Sequence, residues 1–269
     1  MNFVPKNSVE FEKRLQQADL SLFDPITTSA TTDDRRSLLA LQAAIRRPDY
    51  AYLEIGSERG GSLQTHLADP WCTAIFSIDL RVSSVPDARG TGFVYHDNTT
   101  AHMIADLTKY YGNVVDKILT FDHRAAEVST VKITPPPHLI FIDGEHTRKA
   151  VTTDFADARR FASPEALIAF HDAQLVHLGI KDCLQTLEQE GLPFHSACLA
   201  GAVYVIAIGP DARERIEKIQ IEHTPPDIFF RHAPAYLRNQ KRQLRRQRRQ
   251  LRYQKLRLLL RRIRQKLLT

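Results

Sequence analysis

Cysteine is scarce in this sequence: Cys72, Cys183 and Cys198 are the three in 269 residues. The number is odd and no two have metal-ligand spacing, which argues against a disulfide framework or a cysteine zinc site and for a reducing compartment. Long apolar runs are missing as well. The longest, Ala202 to Ile208 between two glycines, is too short to span a bilayer, and Met1 to Lys13 has charges but no apolar stretch like that of a secretory leader. A soluble, cytoplasmic protein is expected. Residues 237–269 contain no Asp or Glu and no proline or glycine, but 14 Lys and Arg. Residues 1–236 therefore hold 23 basic against 31 acidic residues, so a net charge of +6 conceals a body near −8 and a tail of +14. That asymmetry marks the tail as a separate device.

What is present fits one sizeable core. The chain is 43% hydrophobic, enough for a single α/β domain of about 200 residues with an appendage. Short apolar or β-branched runs at 52–55, 74–79, 92–95, 117–121, 138–143, 166–171 and 202–208 read as strands. Helical spacing appears at 35–47, where Asp33 and Asp34 precede the apolar positions, and at 62–68, 100–111, 147–161 and 175–189. The alternation predicts a doubly wound, mostly parallel, seven-stranded sheet with helices on both faces. Segments 194–199 and 202–208 are separated by little more than Ala200-Gly201, which suits a hairpin and predicts an antiparallel strand at the sheet edge. The expected divisions are an N-terminal helical region 1–50, an α/β domain 51–222, a linker 223–236 broken by Pro225, Pro226 and Pro234, and a basic helix 237–269.

The segment Glu54-Ile55-Gly56-Ser57-Glu58-Arg59-Gly60-Gly61-Ser62 has the layout of strand, glycine turn and helix start. In a doubly wound sheet, ligands bind at the carboxyl ends of the strands, and glycine lets backbone approach a nucleotide closely. No glycine follows Gly56 at the second position, so the dinucleotide pattern is broken and a pyrophosphate cofactor is disfavoured. The motif resembles that of class I S-adenosylmethionine-dependent methyltransferases. The resemblance implies that Gly56 and Gly60, with Ser57 and Ser62 of the same turn, line the methionine part of S-adenosyl-L-methionine, and that Glu54 supports that end. Asp79 closes the apolar run 74–78 and is suited to accept hydrogen bonds from ribose hydroxyls. Asp122 and His123 end the fourth strand, where members of that class place residues near the adenine; a polar loop closing a strand is the competing reading.

A second cluster stands further along. Phe141-Ile142-Asp143-Gly144-Glu145-His146 takes an apolar strand abruptly into three ionisable groups, and Ile168-Ala169-Phe170-His171-Asp172 repeats the pattern. If the two strands are neighbours, Asp143, His146, His171 and Asp172 converge on one crevice. Two carboxylates with neutral ligands suit Mg²⁺, or Mn²⁺ where an imidazole takes part. His146, with an ordinary pKa near neutrality, suits a general base. The string is similar to that of the family called methyltransferase type 24, and to metal-dependent sugar O-methyltransferases acting on antibiotic glycosides. Carried over, Asp143 and Asp172 become metal ligands and His146 the base. His171 departs from the pattern, because those relatives have an acidic residue there, and it joins the candidate ligands as an imidazole. A metal-free catalytic site, and a structural cluster in which Asp143 caps the following helix, remain open.

From Leu237 onward the residues favour one continuous helix. Its Arg-rich first half and its apolar stripe at Leu256, Leu259, Leu260, Ile263 and Leu267 allow an anionic membrane surface, self-association or, less readily, nucleic acid as partner. The reading as a whole is an O-methyltransferase for a hydroxyl of a small molecule or glycan, cytoplasmic and peripheral at the inner face of the membrane. The alternatives are an RNA methyltransferase, a related hydroxylase on the same core, and an inactive scaffold.

Overall fold

The computed structural model describes residues 7–81, 84–86, 94–96, 98–239, 242, 246, 249 and 250. Seven strands form one sheet: β1 (Tyr50–Ile55), β2 (Cys72–Ile78), β5 (Ile118–Phe121), β6 (Leu139–Ile142), β7 (Leu167–Phe170), β8 (Phe194–Cys198) and β9 (Tyr204–Ile208). Their spatial order is β5-β2-β1-β6-β7-β9-β8. The first five run parallel, with Leu53 opposite Phe76 on one side and Ile140 on the other. Every residue of β1, β6 and β7 is buried, as expected for strands covered on both faces.

Two expectations about the sheet need correction. The antiparallel strand is β9, and it lies inside the sheet, bonded to β7 on one side and to the edge strand β8 on the other. The physical reason is apolarity: Tyr204 to Ala207 are fully buried, whereas Phe194 and His195 of β8 keep some exposure. The segment 92–95 does not join this sheet. Val94–His96 (β4) pairs instead with Ser84–Pro86 (β3) in a separate antiparallel ribbon, and residues 92 and 93 lie outside the described residues.

Helices cover both faces. On one side lie α1 (Ser8–Gln16), α2 (Thr32–Ile45), α3 (Gln64–Ala68), α4 (Thr100–Tyr111) and α7 (Ala212–Glu217); on the other, α5 (Arg148–Phe161) and α6 (Ala173–Gln189). In α2, Thr31 and Asp34 form a reciprocal capping box, and Leu38, Leu39, Leu41 and Ile45 reach the core. Each such side chain stabilises the fold by about 1.5–3 kcal/mol. The cap of α5 is Thr147, whose hydroxyl accepts from Ala150 N at 3.1 Å, so Asp143 is free of that duty.

Residues 226–239 form a further helix, α8, where the prolines had been read as a linker. Pro225 and Pro226 stand at its start, where a missing N–H costs nothing, and Phe229 N donates to Pro225 O at 3.0 Å. Phe229 and Ala233 of α8 are buried against the second core and offset the loss at Pro234. The division drawn between 236 and 237 therefore falls within a helix. Residues 242, 246, 249 and 250 are also helical, and the rest of the expected tail helix, 240, 241, 243–245, 247, 248 and 251–269, lies outside the described residues. Among the described residues no helix is long and apolar enough to cross a membrane, and the three cysteines are free and buried.

Candidate active site

All the sequence-derived site residues stand at or just past the carboxyl ends of β1, β2, β5, β6 and β7. The glycine turn after β1 packs directly on the end of β6. Gly56 has φ +91°, and a Cβ on it would lie 2.3 Å from Asp143 O, so only glycine lets the turn and the second cluster meet. Beneath the turn, Glu54 is 1% exposed and accepts from Ser62 Oγ at 2.5 Å and Tyr52 OH at 2.8 Å. Burial outweighs these two donors and pushes the Glu54 carboxyl up to about 8, so it is the neutral acid at neutral pH.

Asp79 sits at the end of β2 and accepts a hydrogen bond from Glu58 N at 2.8 Å. Its side chain keeps 14% exposure, which leaves the carboxylate able to meet a ligand. The Ser57 hydroxyl turns inward to Ser77 Oγ at 2.6 Å. Asp122 accepts from Thr100 Oγ1 at 2.5 Å and His123 lies 3.8 Å from Glu127, both on an exposed loop. A turn with a close-approach glycine and a partly exposed carboxylate at the neighbouring strand end fits a nucleoside with an amino-acid tail.

The second cluster is assembled as the sequence implied, because β6 and β7 are adjacent. His146 Nε2 lies 3.0 Å from Asp172 Oδ2 and 3.5 Å from Asp143 Oδ1, and His171 Nδ1 lies 3.0 Å from Asp143 Oδ1. Burial disfavours both charged imidazoles, yet the carboxylates outweigh it, pushing His146 up to about 9 and His171 up to about 11. Burial likewise favours neutral Asp143, but the His171 and His146 rings hold its carboxyl below the usual range. Asp172 occupies the left-handed region at φ 49°, an uncommon conformation for a residue with a side chain and one found at functional turns. The donor atoms of Asp143, His146 and His171 lie within 4.8 Å of one another. Two imidazoles and one carboxylate form a donor set that suits Mn²⁺ better than Mg²⁺.

Sequence reasoning missed two side chains. Asp34, read only as part of a helix start, is 2% exposed and faces His171 Nε2 at 3.4 Å. A capping carboxylate is legible in sequence, but its long-range partner is not. Arg81, two residues past Asp79, folds over the back of the glycine turn and is 3% exposed. A cavity of about 380 Å³ has Gln174, Glu222, Thr224, His232 and Tyr236 in its walls. Gln174 donates to Gly201 O at 2.9 Å and stands two residues past Asp172.

Residues 53–173 match the protein family described as a methyltransferase domain. The chain carries a methyltransferase domain. Among solved structures, the methyltransferase is similar to a precorrin-6y C5,15-methyltransferase from Geobacter metallireducens, at 16% identity over 68% of this chain and 91% of the other, with a TM-score of 0.45. A putative O-methyltransferase from Klebsiella pneumoniae gives 14% identity, 74% and 90% coverage and a TM-score of 0.48. An O-methyltransferase from Bacillus cereus, solved with S-adenosylhomocysteine, gives 14%, 77% and 92% and 0.47. No curated protein matches the methyltransferase.

Proposed function

We propose that this methyltransferase moves the methyl group of S-adenosylmethionine to a hydroxyl of a small molecule or glycan, with His146 as general base. The observation that carries the reading is the contact between its two halves: the glycine turn touches Asp143 through Gly56, and Asp143 lies 3.5 Å from His146. In this reading donor and base share one crevice. Glu54, Gly56, Ser57, Gly60, Ser62 and Asp79 form its cofactor side, with Asp122 and His123 at the far, adenine end. S-Adenosylmethionine supplies a methyl group on a positively charged sulfur, which leaves as a neutral thioether when the acceptor oxygen bonds to the carbon.

The protein's own part is to aim the acceptor and take its proton. His146 receives that proton, while Asp143 and Asp172, which both face its Nε2, orient the ring. A divalent cation, when bound, would be held by Asp143, His171 and Asp172, and would make the acceptor hydroxyl more acidic. The cavity beside Gln174 is the acceptor site in this scheme. The basic segment 237–269 supplies contact with an anionic surface or a second copy of the chain.

Calorimetry with S-adenosylhomocysteine tests the cofactor half: micromolar binding is expected, and a folded protein that binds neither this compound nor S-adenosylmethionine overturns the reading. Chelation followed by Mn²⁺ or Mg²⁺ titration, read by calorimetry and by turnover, tests the cation. Full turnover in excess chelator, with no metal uptake, leaves the metal-free version.

A further inference from the structure

Among the described residues, Arg81 is a buried cation whose hydrogen-bond partners are neutral groups. Its guanidinium donates to Asn98 Oδ1 at 2.8 Å, to Ser57 Oγ at 2.9 Å, to Ser77 Oγ at 3.0 Å, and to the Glu58 carbonyl, and it touches Met103 Sδ at 3.1 Å. Among the described residues its ion-pair contact is to Asp79, at 3.6 Å. These partners come from three separate segments: the glycine turn, the end of β2 and the start of α4. Taking a charge out of water is costly unless the geometry is fixed by several bonds, and here one side chain supplies the bonds that hold three segments together.

The peptide groups flanking Glu58 explain what is being held. Glu58 has φ +41°, a conformation a residue with a side chain adopts only when its surroundings impose it. Its N–H points to Asp79 Oδ2 at 2.8 Å, and its carbonyl accepts from Arg81. Asp79 and Arg81 thus grip the strained residue from both sides, and the turn cannot relax without releasing the carboxylate.

We infer that Arg81 is a positioning residue for the cofactor: through Glu58 it fixes Asp79 in the orientation that receives the ribose hydroxyls. The inference rests on the S-adenosylmethionine reading above. Lysine cannot replace it, because a single ammonium lacks the planar fork that reaches Ser57, Ser77, Asn98 and the Glu58 carbonyl together.

The test is a double-mutant cycle on the full-length chain, with S-adenosylhomocysteine affinity and unliganded melting temperature measured for each protein. Arg81→Lys and Arg81→Met should each weaken binding at least tenfold. In the Asp79→Ala background the same substitutions should change affinity less than twofold, since the group they orient is gone. A merely structural arginine would give equal losses in both backgrounds, and that result overturns the inference. Should Arg81→Met fail to fold, Arg81→Lys alone decides by the same comparison. Wild-type protein that does not bind S-adenosylhomocysteine overturns this inference and the cofactor reading together, whereas normal wild-type binding with additive losses overturns only the role of Arg81.

Discussion

His171 Nδ1 lies 3.0 Å from Asp143 Oδ1, and this contact joins the ends of two neighbouring parallel strands. On its far side the same ring meets Asp34, whose other oxygen accepts from Ala202 N at 2.6 Å. The imidazolium is therefore held between a strand end and the N-terminal cap of α2, and Asp34 also anchors the β8–β9 hairpin.

Removing one member of this buried set should leave an uncompensated charge. Asp34→Ala is expected to cost about 3–5 kcal/mol in urea denaturation at pH 7. The His171 share has a defined pH dependence: its pKa is raised to about 11 from the ordinary 6.5. Its stabilisation is complete below about pH 6.5 and is lost as pH rises through about 11. The stability gap between wild type and His171→Gln should shrink steadily over that window, and a pH-independent gap would show that the ring is neutral in the folded protein.

Turnover should be limited by the protonated state of His146. With its pKa raised to about 9 by Asp143 and Asp172 against the effect of burial, the free base grows tenfold per pH unit from 6 to 8 and levels near 9. The kcat profile should follow, and Asp172→Asn should move the rising limb to lower pH by removing one of the two carboxylates. His146→Ala should abolish turnover with little change in S-adenosylhomocysteine affinity. Equal loss of both would mark a structural histidine.

Glu54 gives the opposite kind of pH dependence from a paired carboxylate. Its pKa is raised to about 8 in the folded chain from an ordinary 4.5, so the native state binds more protons than the unfolded one between those values. Stability therefore falls as pH rises from about 4.5 to 8. Glu54→Gln keeps the shape without the titration, and its urea midpoint should be flatter over that range. A slope unchanged from wild type would place the loss elsewhere.

Helix α8 separates two duties of the C-terminal region. Deleting residues 240–269 should spare S-adenosylhomocysteine binding, since the crevice lies wholly within the body, but reduce binding to anionic vesicles. Each basic residue near such a surface contributes about 1 kcal/mol at most, and salt screens it. Vesicle binding undiminished by the deletion would assign the contact to the body. Tyr236→Ala should raise KM for the acceptor, because that side chain lines the cavity.

The sequence by itself determined the strands that end in chemistry. Glu54, Asp79, Asp143 and Asp172 were legible because apolar runs stop abruptly at or beside charged groups, and β–α alternation makes consecutive strands neighbours. Local patterning also placed α4 and α5 to within a residue, since helical periodicity and caps are short-range. Tertiary structure alone decided the rest. Whether β9 or β8 took the interior position depended on which strand better filled the space beside β7, a comparison made only when both are packed. Residues 226–239 became a helix because Phe229 and Ala233 found a core face that prolines in sequence give no hint of. Asp34 and Arg81 carry no signature of their partners, since His171 and Glu58 are brought to them by the folding of other segments. Their charges acquire meaning only where burial removes water and leaves a few fixed groups to answer them.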